Sequence, residues 1–218
     1  KVIEAALAEP DPAVAVFDSP DEREKWALMF ELAFTTGMRP GERYGLMPYQ
    51  LELHHGIPVI NVCQQAKPIP AGATIPDWME AEHLDGAIWL TKPKTAKGVR
   101  TVPIPQGLWD RLWAHIVKWG VPSHGLVFTN LYGHPIRRDN EEKRWRRALK
   151  MAGLPYVDIY SARHWLATEL AAAGASDEER TAIMGHTDIH TTSVYTHWRE
   201  RRLAETLDAA LPDLRDGQ

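Results

Sequence analysis

The feature that most constrains this 218-residue chain is a change of hydrophobic period part-way along it. From Asp21 to Phe34 apolar residues recur at helical spacing, with Trp26, Met29, Phe30 and Ala33 on one stripe and acidic residues in the first turn. Residues 50–65 abandon that period. Leu51-Glu-Leu-His, then Gly56, then Ile57-Pro-Val-Ile-Asn-Val reads as a β-hairpin with glycine at its turn. Further strands are expected at Ala87 to Leu90 and Val99 to Ile104. Residues 66–86, with Pro68, Pro70 and Pro76, read as a long loop or small excursion. From Gly107 the helical period returns, over Leu108 to Lys118, Arg138 to Ala152, and Ile159 to Ala173 with Gly174 as its stop. Ser176-Asp-Glu-Glu179 opens the next helix as a capping box. The pattern predicts a mainly helical α+β fold with a small antiparallel β-sheet in its N-terminal third.

Shorter elements frame this plan. Val2 to Ala8 reads as a short helix, Gly37 as the stop of the first long helix, and Pro40 as the first turn of another. Arg199 to Leu214 carries Leu203, Leu207, Leu211 and Leu214 at helical spacing, a stripe that suits packing on its own domain or docking on a neighbour. Residues 1–218 are therefore taken as one domain, with 199–218 its C-terminal helix and tail. The chain begins on Lys1, which reads as a piece of a longer protein.

Composition bounds the function classes. Hydrophobic residues make up 44% and charged residues 25%, enough apolar material for a sizeable core in a soluble domain. No run approaches the roughly 20 apolar residues a membrane span needs, so no membrane partner is expected. The one cysteine, Cys63, excludes an internal disulfide or a cysteine-based zinc site and suits a reducing cytoplasm. It follows the apolar run Ile57 to Val62, where it reads as a buried small hydrophobe.

A net charge of −4 argues on its face against a nucleic-acid binder, but its distribution does not. Residues 1–31 carry three basic and eight acidic groups and residues 199–218 four and five, which leaves the stretch between them at +2. Within that stretch Arg137, Arg138, Lys143, Arg144, Arg146, Arg147 and Lys150 crowd one segment, and Lys92, Lys94, Lys97 and Arg100 another. A surface that tracks phosphates needs local positive potential, not a basic average.

Four dispersed clusters carry groups suited to phosphate chemistry. Thr36-Gly-Met-Arg39-Pro-Gly-Glu42 places Arg39 in a turn between two helices. Lys92-Pro-Lys94-Thr-Ala-Lys97-Gly-Val-Arg100 places lysines at a turn between two strands. Tyr160-Ser-Ala-Arg163-His164 opens a helix, where backbone N–H groups and the dipole favour an anion. Met184-Gly185-His186 is followed nine residues later by Tyr195. His186 and His190 stand four apart, but no glutamate follows His186 and no third ligand is evident, so no metal site is expected.

In this order the clusters resemble the boxes of the tyrosine recombinase (phage integrase) family, over about residues 25–210. Thr36 to Glu42 matches the first arginine box, Thr-Gly-x-Arg-x-x-Glu. Lys94-Thr to Arg100-Thr-Val-Pro103 is similar to its lysine turn and Arg-x-Val-Pro strand. Tyr160-Ser-Ala-Arg163-His164 matches His-x-x-Arg-His except at the first position, where tyrosine stands for histidine. Met184-Gly185-His186 and Tyr195 are similar to the Leu-Gly-His motif and its nucleophile.

The resemblance implies the tyrosine-recombinase catalytic-domain fold, without the N-terminal core-binding domain or any arm-binding domain. It implies DNA integration or recombination through a 3′-phosphotyrosyl link to Tyr195. The catalytic set it implies is Arg39, Lys94, Tyr160, Arg163 and His186 beside Tyr195, with Lys97 the alternative to Lys94 as general acid. The DNA-contacting set is Lys92, Lys97, Arg100, Arg137, Arg138 and Arg144. No cofactor or metal is implied. The implied partners are double-stranded DNA sites, a homo-tetramer formed on them and accessory DNA-bending proteins, in the cytoplasm of a bacterial host and encoded by a phage or mobile element. Two other readings share some of these features, a type IB topoisomerase-like relaxing enzyme and a DNA-binding module with a decayed site.

Overall fold

The computed structural model describes residues 1–8, 19–93, 98–185 and 196–211, the side chains of the last stretch from residue 202. A long central helix organises the domain. This helix, α2 (Pro20–Thr36), follows α1 (Val2–Leu7); the Ser19 hydroxyl caps it by accepting from the Glu22 N–H at 3.2 Å. Gly37 ends it in the left-handed conformation at φ +60°. The expected stripe Trp26, Met29, Phe30 and Ala33 is buried, but so are Ala27, Leu28 and Leu32 on the other sides. α2 is enclosed because α1, α4 (Gln106–Trp119) and α6 (Ser161–Ala172) all pack on it. α5 (Arg138–Met151) adds Trp145, whose ring meets Phe30 edge-on at 5.1 Å.

Two short elements follow α2, the helix α3 (Pro40–Tyr44) and a single 3-10 turn over Pro48–Gln50. The hairpin forms as expected from β1 (Leu51–His54) and β2 (Ile57–Val62), with Leu51 opposite Ile60 and the turn made by His55 and Gly56 at positive φ. The remainder of the β region departs from expectation. Residues 66–86 are no plain loop, for they hold most of β3 (Gln65–Pro68) and all of β4 (Ala81–Asp85). These flank β5 (Ile88–Thr91) in a second antiparallel sheet of order β3-β5-β4. β6 (Arg100–Pro103) instead pairs with β2, giving the first sheet the order β1-β2-β6. The described residues thus contain two three-stranded sheets, not one. β5 and β6, expected on either side of a turn, are thus not paired with each other. β3 and β4 escape a pattern reading because both are short edge strands of largely polar residues, with no clean two-residue alternation.

The remaining helices follow their local signals. Gly174 lies just past α6 at φ +82°. The Ser176 box opens α7 (Asp177–Met184), with the Ser176 hydroxyl accepting from the Glu179 N–H and the Glu179 carboxylate from the Ser176 N–H. In α8 (Thr196–Ala210), Leu203 and Leu207 are buried in this domain's own core against α6, β6 and β2. Cys63 is half-buried and not fully enclosed, since it follows buried Val62 and turns to the other side, with Sγ 3.9 Å from the Tyr49 hydroxyl. Among the described residues no helix is long and apolar enough to cross a membrane.

Candidate active site

The sharp link from α2 to α3 places Arg39 at the N-terminus of α3. Glu42, one turn on, holds it twice, accepting from the Arg39 backbone N–H at 2.8 Å and from Nη1 at 3.0 Å. The Glu42 side chain is 4% exposed and that of Arg39 38%, so the carboxylate anchors a guanidinium that still reaches the surface.

The same carboxylate holds a second guanidinium. Arg100, at the start of β6, donates to Glu42 Oε2 from Nη2 at 2.9 Å and to Oε1 from Nη1 at 3.2 Å. Its Nε donates to the Ile183 carbonyl at 2.9 Å. Burial, the largest influence on Glu42, opposes its ionisation. The Arg100 hydrogen bonds and charge, with Arg39 behind them, outweigh it and keep the carboxyl below the usual range.

Arg163 approaches from α6. It is 3% exposed, donates from Nη1 to the Gly37 carbonyl at 2.6 Å and from Nη2 to the Met184 carbonyl, and so ties the ends of α2 and α7 together. Burial first, then the charges of Arg39 and Arg100, lower its pKa to about 10, which leaves it charged at neutral pH. Three guanidiniums therefore gather around one carboxylate, Arg39 and Arg100 bonded to it and Arg163 within reach of its charge, a concentrated positive centre suited to an anion. Gly185 makes room for this arrangement. It ends α7 at φ +64°, where a Cβ would stand 2.8 Å from Arg100 Cδ.

Tyr160 stands at the N-terminus of α6, 40% exposed, its ring edge-on to His164 at 5.4 Å. Its backbone N–H donates to Asp158 Oδ1 at 2.8 Å, and Asp158 Oδ2 accepts from Arg138 at 3.2 Å. Tyr160, His164, Arg137 and Arg138 line an open groove of about 1030 Å³, walled opposite by Pro40, Tyr44 and Lys67. Lys67 is a member the sequence did not single out, since it lies on the unrecognised strand β3; a lysine beside Pro68 was its only signal.

The other expected residues fall elsewhere. Arg100, expected to face DNA, is buried in its ion pair, because its strand points it toward α7 and Glu42. Arg144 lies over the Trp26 ring at 6.0 Å and 3.8 Å from Glu22, on the α1–α2 side and outside the groove. Lys92 is exposed and pairs with Glu80. Lys94, Lys97, His186 and Tyr195 lie outside the described residues. Among the described residues no cluster of three or more His, Cys, Asp or Glu is placed to hold a metal.

Behind the site a buried network braces α3. Arg43 donates to the Met38 carbonyl at 2.7 Å and to Glu141 at 2.5 Å, and the Tyr44 hydroxyl donates to the other Glu141 oxygen at 2.5 Å. Burial and the Glu141 carboxylate push the Tyr44 phenol well above its ordinary pKa, so it remains a donor.

Known proteins share this organisation. The model of the phage integrase family matches residues 9–202. A tyrosine recombinase XerC-like protein of Caldanaerobacter subterraneus subsp. tengcongensis is 31% identical over 182 residues, which cover 78% of this chain and 44% of that protein. Tyrosine recombinase XerC 2 of Ralstonia nicotianae is 26% identical over 213 residues, 96% of this chain and 51% of that one. The chain thus spans about half the length of these curated relatives. Among solved structures, the Tn1549 transposon integrase in complex with transposon right end DNA superposes with a TM-score of 0.63 at 21% identity, over 94% of this chain and 68% of that one. The XerH recombinase bound to difH substrate gives 0.59 at 18%, over 86% and 44%. These likenesses establish the fold as that of the tyrosine recombinase catalytic domain. With the family match running through both arginine boxes and almost the whole chain, the protein belongs to the phage integrase family.

Proposed function

We propose that this chain is the catalytic domain of a site-specific DNA recombinase or integrase that cleaves and rejoins strands through a phosphodiester bond to Tyr195. The observation that carries the reading is the convergence of Arg39 and Arg163, from opposite halves of the sequence, on one positive centre around Glu42. The solved neighbours are complexes with DNA, which supports DNA as the partner.

The chemistry follows from the residue types. The Tyr195 phenol attacks the scissile phosphorus in line and its proton passes to a base, with His186 in that position of the motif. The pentacoordinate phosphorus carries added negative charge on its non-bridging oxygens. Arg39, exposed beyond Glu42, offers free edges of its guanidinium to them. Arg163 commits one N–H to each of two carbonyls and retains further donors of its five. The Tyr160 hydroxyl can donate one more bond, without the charge of an imidazolium. The P–O5′ bond breaks as a lysine ammonium, Lys94 or Lys97, protonates the departing oxygen. The products are a 3′-phosphotyrosyl link and a 5′-hydroxyl. Attack on that link by a 5′-hydroxyl from another strand reverses the step, so the bond energy is conserved and no cofactor is consumed. Strand exchange requires several protomers on paired sites, and a homo-tetramer on DNA in a bacterial cytoplasm is the assembly proposed. Arg137, Arg138 and Lys67 line the groove where the adjoining backbone would run.

The test uses a pool of nicked DNA duplexes of randomised sequence, in which the departing fragment diffuses away and traps the intermediate. The wild-type chain is expected to form an adduct that survives denaturation, with or without EDTA, and Tyr195→Phe to bind the pool without forming one. An adduct kept by Tyr195→Phe and lost in Tyr160→Phe would move the nucleophile to Tyr160. Relaxation of supercoiled plasmid with no strand exchange would favour a topoisomerase.

A further inference from the structure

We infer that Arg100 is a positioning residue that holds the arginine clamp, Gly98 and the end of α7 in one register. The inference rests on the recombinase reading.

Arg100 is 8% exposed, and its Nε, Nη1 and Nη2 are all committed to acceptors of the protein itself. Its guanidinium contacts three chain segments. Nη1 and Nη2 hold both oxygens of Glu42, the carboxylate that anchors Arg39. Nε holds the Ile183 carbonyl, three residues before His186. Nη1 also lies 3.4 Å from the Gly98 carbonyl, next to the segment that contains Lys94 and Lys97. One planar group thus touches Glu42, Gly98 and the end of α7, which leaves α6 to be joined. Arg163 supplies that remaining link through its bonds to the Gly37 and Met184 carbonyls.

A buried ion pair is a weak source of stability, because desolvation offsets most of the attraction. Apolar side chains of similar volume would fill the same space. What they would not supply is direction, since a fork of rigid donors fixes the carboxylate and the carbonyl in one plane. Lysine, a single flexible ammonium, cannot hold Glu42 bidentately and reach Ile183 as well. The absence of a side chain at Gly185 completes the fit, since any Cβ there would displace the Arg100 stem.

The experiment compares Arg100→Met, Arg100→Lys, Glu42→Gln and the double variant Arg100→Met/Glu42→Gln in the 218-residue chain. It measures thermal unfolding, affinity for the nicked-duplex pool, and the single-turnover rate of adduct formation at saturating DNA. A displacement of the clamp by an ångström should slow adduct formation about a hundredfold while affinity and its salt dependence remain as in the wild type. The double variant should be no slower than the slower single, because both substitutions break one linkage. A loss of affinity and of salt dependence at an unchanged rate would make Arg100 a DNA contact and overturn the inference. An unchanged rate in a folded Arg100→Met would also overturn it. If Arg100→Met fails to fold, Arg100→Lys decides, for a slow rate at normal melting supports the inference and a normal rate refutes it. A wild-type chain that binds the pool and forms no adduct would overturn the recombinase reading and this inference with it. A wild-type adduct with undiminished variants overturns the inference alone.

Discussion

The Arg163 guanidinium spans 126 residues of sequence to donate a 2.6 Å hydrogen bond to the Gly37 carbonyl, so the second arginine box is bolted to the turn that presents the first. Gly37 is the left-handed stop of α2, and two residues later Arg39 stands at the N-cap of α3. The spacing of the two arginines is thereby set by a backbone carbonyl, a group no side-chain substitution can remove.

Arg163→Lys should therefore fail twice. An ammonium cannot reach both the Gly37 and Met184 carbonyls in the geometry of the fork, and an unsatisfied buried carbonyl costs about 1–3 kcal/mol. Adduct formation should fall by about two to three orders of magnitude, the scale of losing a preorganised donor to the transition state. Melting curves and single-turnover cleavage check the two effects separately, and near-normal cleavage would sink the clamp.

Gly185→Ala tests the packing beneath the site. The φ of +64° alone costs an alanine about 1 kcal/mol, and its Cβ would also push on Arg100 Cδ from 2.8 Å. Gly174→Ala is the control, for its φ is +82° but nothing lies within 4 Å. Both should lose stability in urea titrations, and Gly185→Ala alone should lose cleavage beyond what its melting predicts. Equal cleavage in the two would show that Arg100 tolerates displacement.

Glu141→Gln should be among the more destabilising substitutions remote from the site. It leaves the Arg43 charge, 2% exposed, without its counter-ion, and breaking such a pair costs about 3–5 kcal/mol. Adding Arg43→Met should recover part of that loss, because the buried charge is then gone. Chemical denaturation of the single and double variants measures both, and a further loss in the double would contradict the account.

Stability should fall with acid before the carboxylates titrate. Burial, foremost, lowers the His115 pKa from 6.5 to about 4, against an opposing hydrogen bond with the Val127 carbonyl. Between those values the unfolded chain binds a proton that the folded chain refuses, so stability rises with pH across that window and is level above it. The full effect is on the order of 3 kcal/mol. His115→Gln should flatten the profile from pH 6.5 down to 4, and an unchanged slope would assign it to other groups. Glu42 adds its own loss at lower pH. Its folded pKa is depressed, so its contribution is complete above the ordinary carboxylate range and disappears as pH falls through the folded value.

Much of this molecule was legible along the chain. The helices from α2 to α8 and the β1–β2 hairpin follow period, and their ends follow Gly37, Gly174 and the Ser176 box, because these signals act within a few residues. The order of the four clusters carried the family resemblance for a similar reason, since each cluster is a short stretch of sequence.

Only the tertiary structure decided which strands pair and which charges are buried. β5 and β6 read as two strands on either side of a lysine-bearing turn, yet they enter different sheets once short polar β3 and β4 claim the edges of β5. Arg100 looked like its neighbours Lys92 and Lys97 and proved to be the partner of Glu42, 58 residues away, while Arg144 turned to Trp26. A charged side chain has the same covalent identity in water or in a core. Its environment is set by segments distant in sequence, and their approach depends on chain closure and packing that no local pattern encodes.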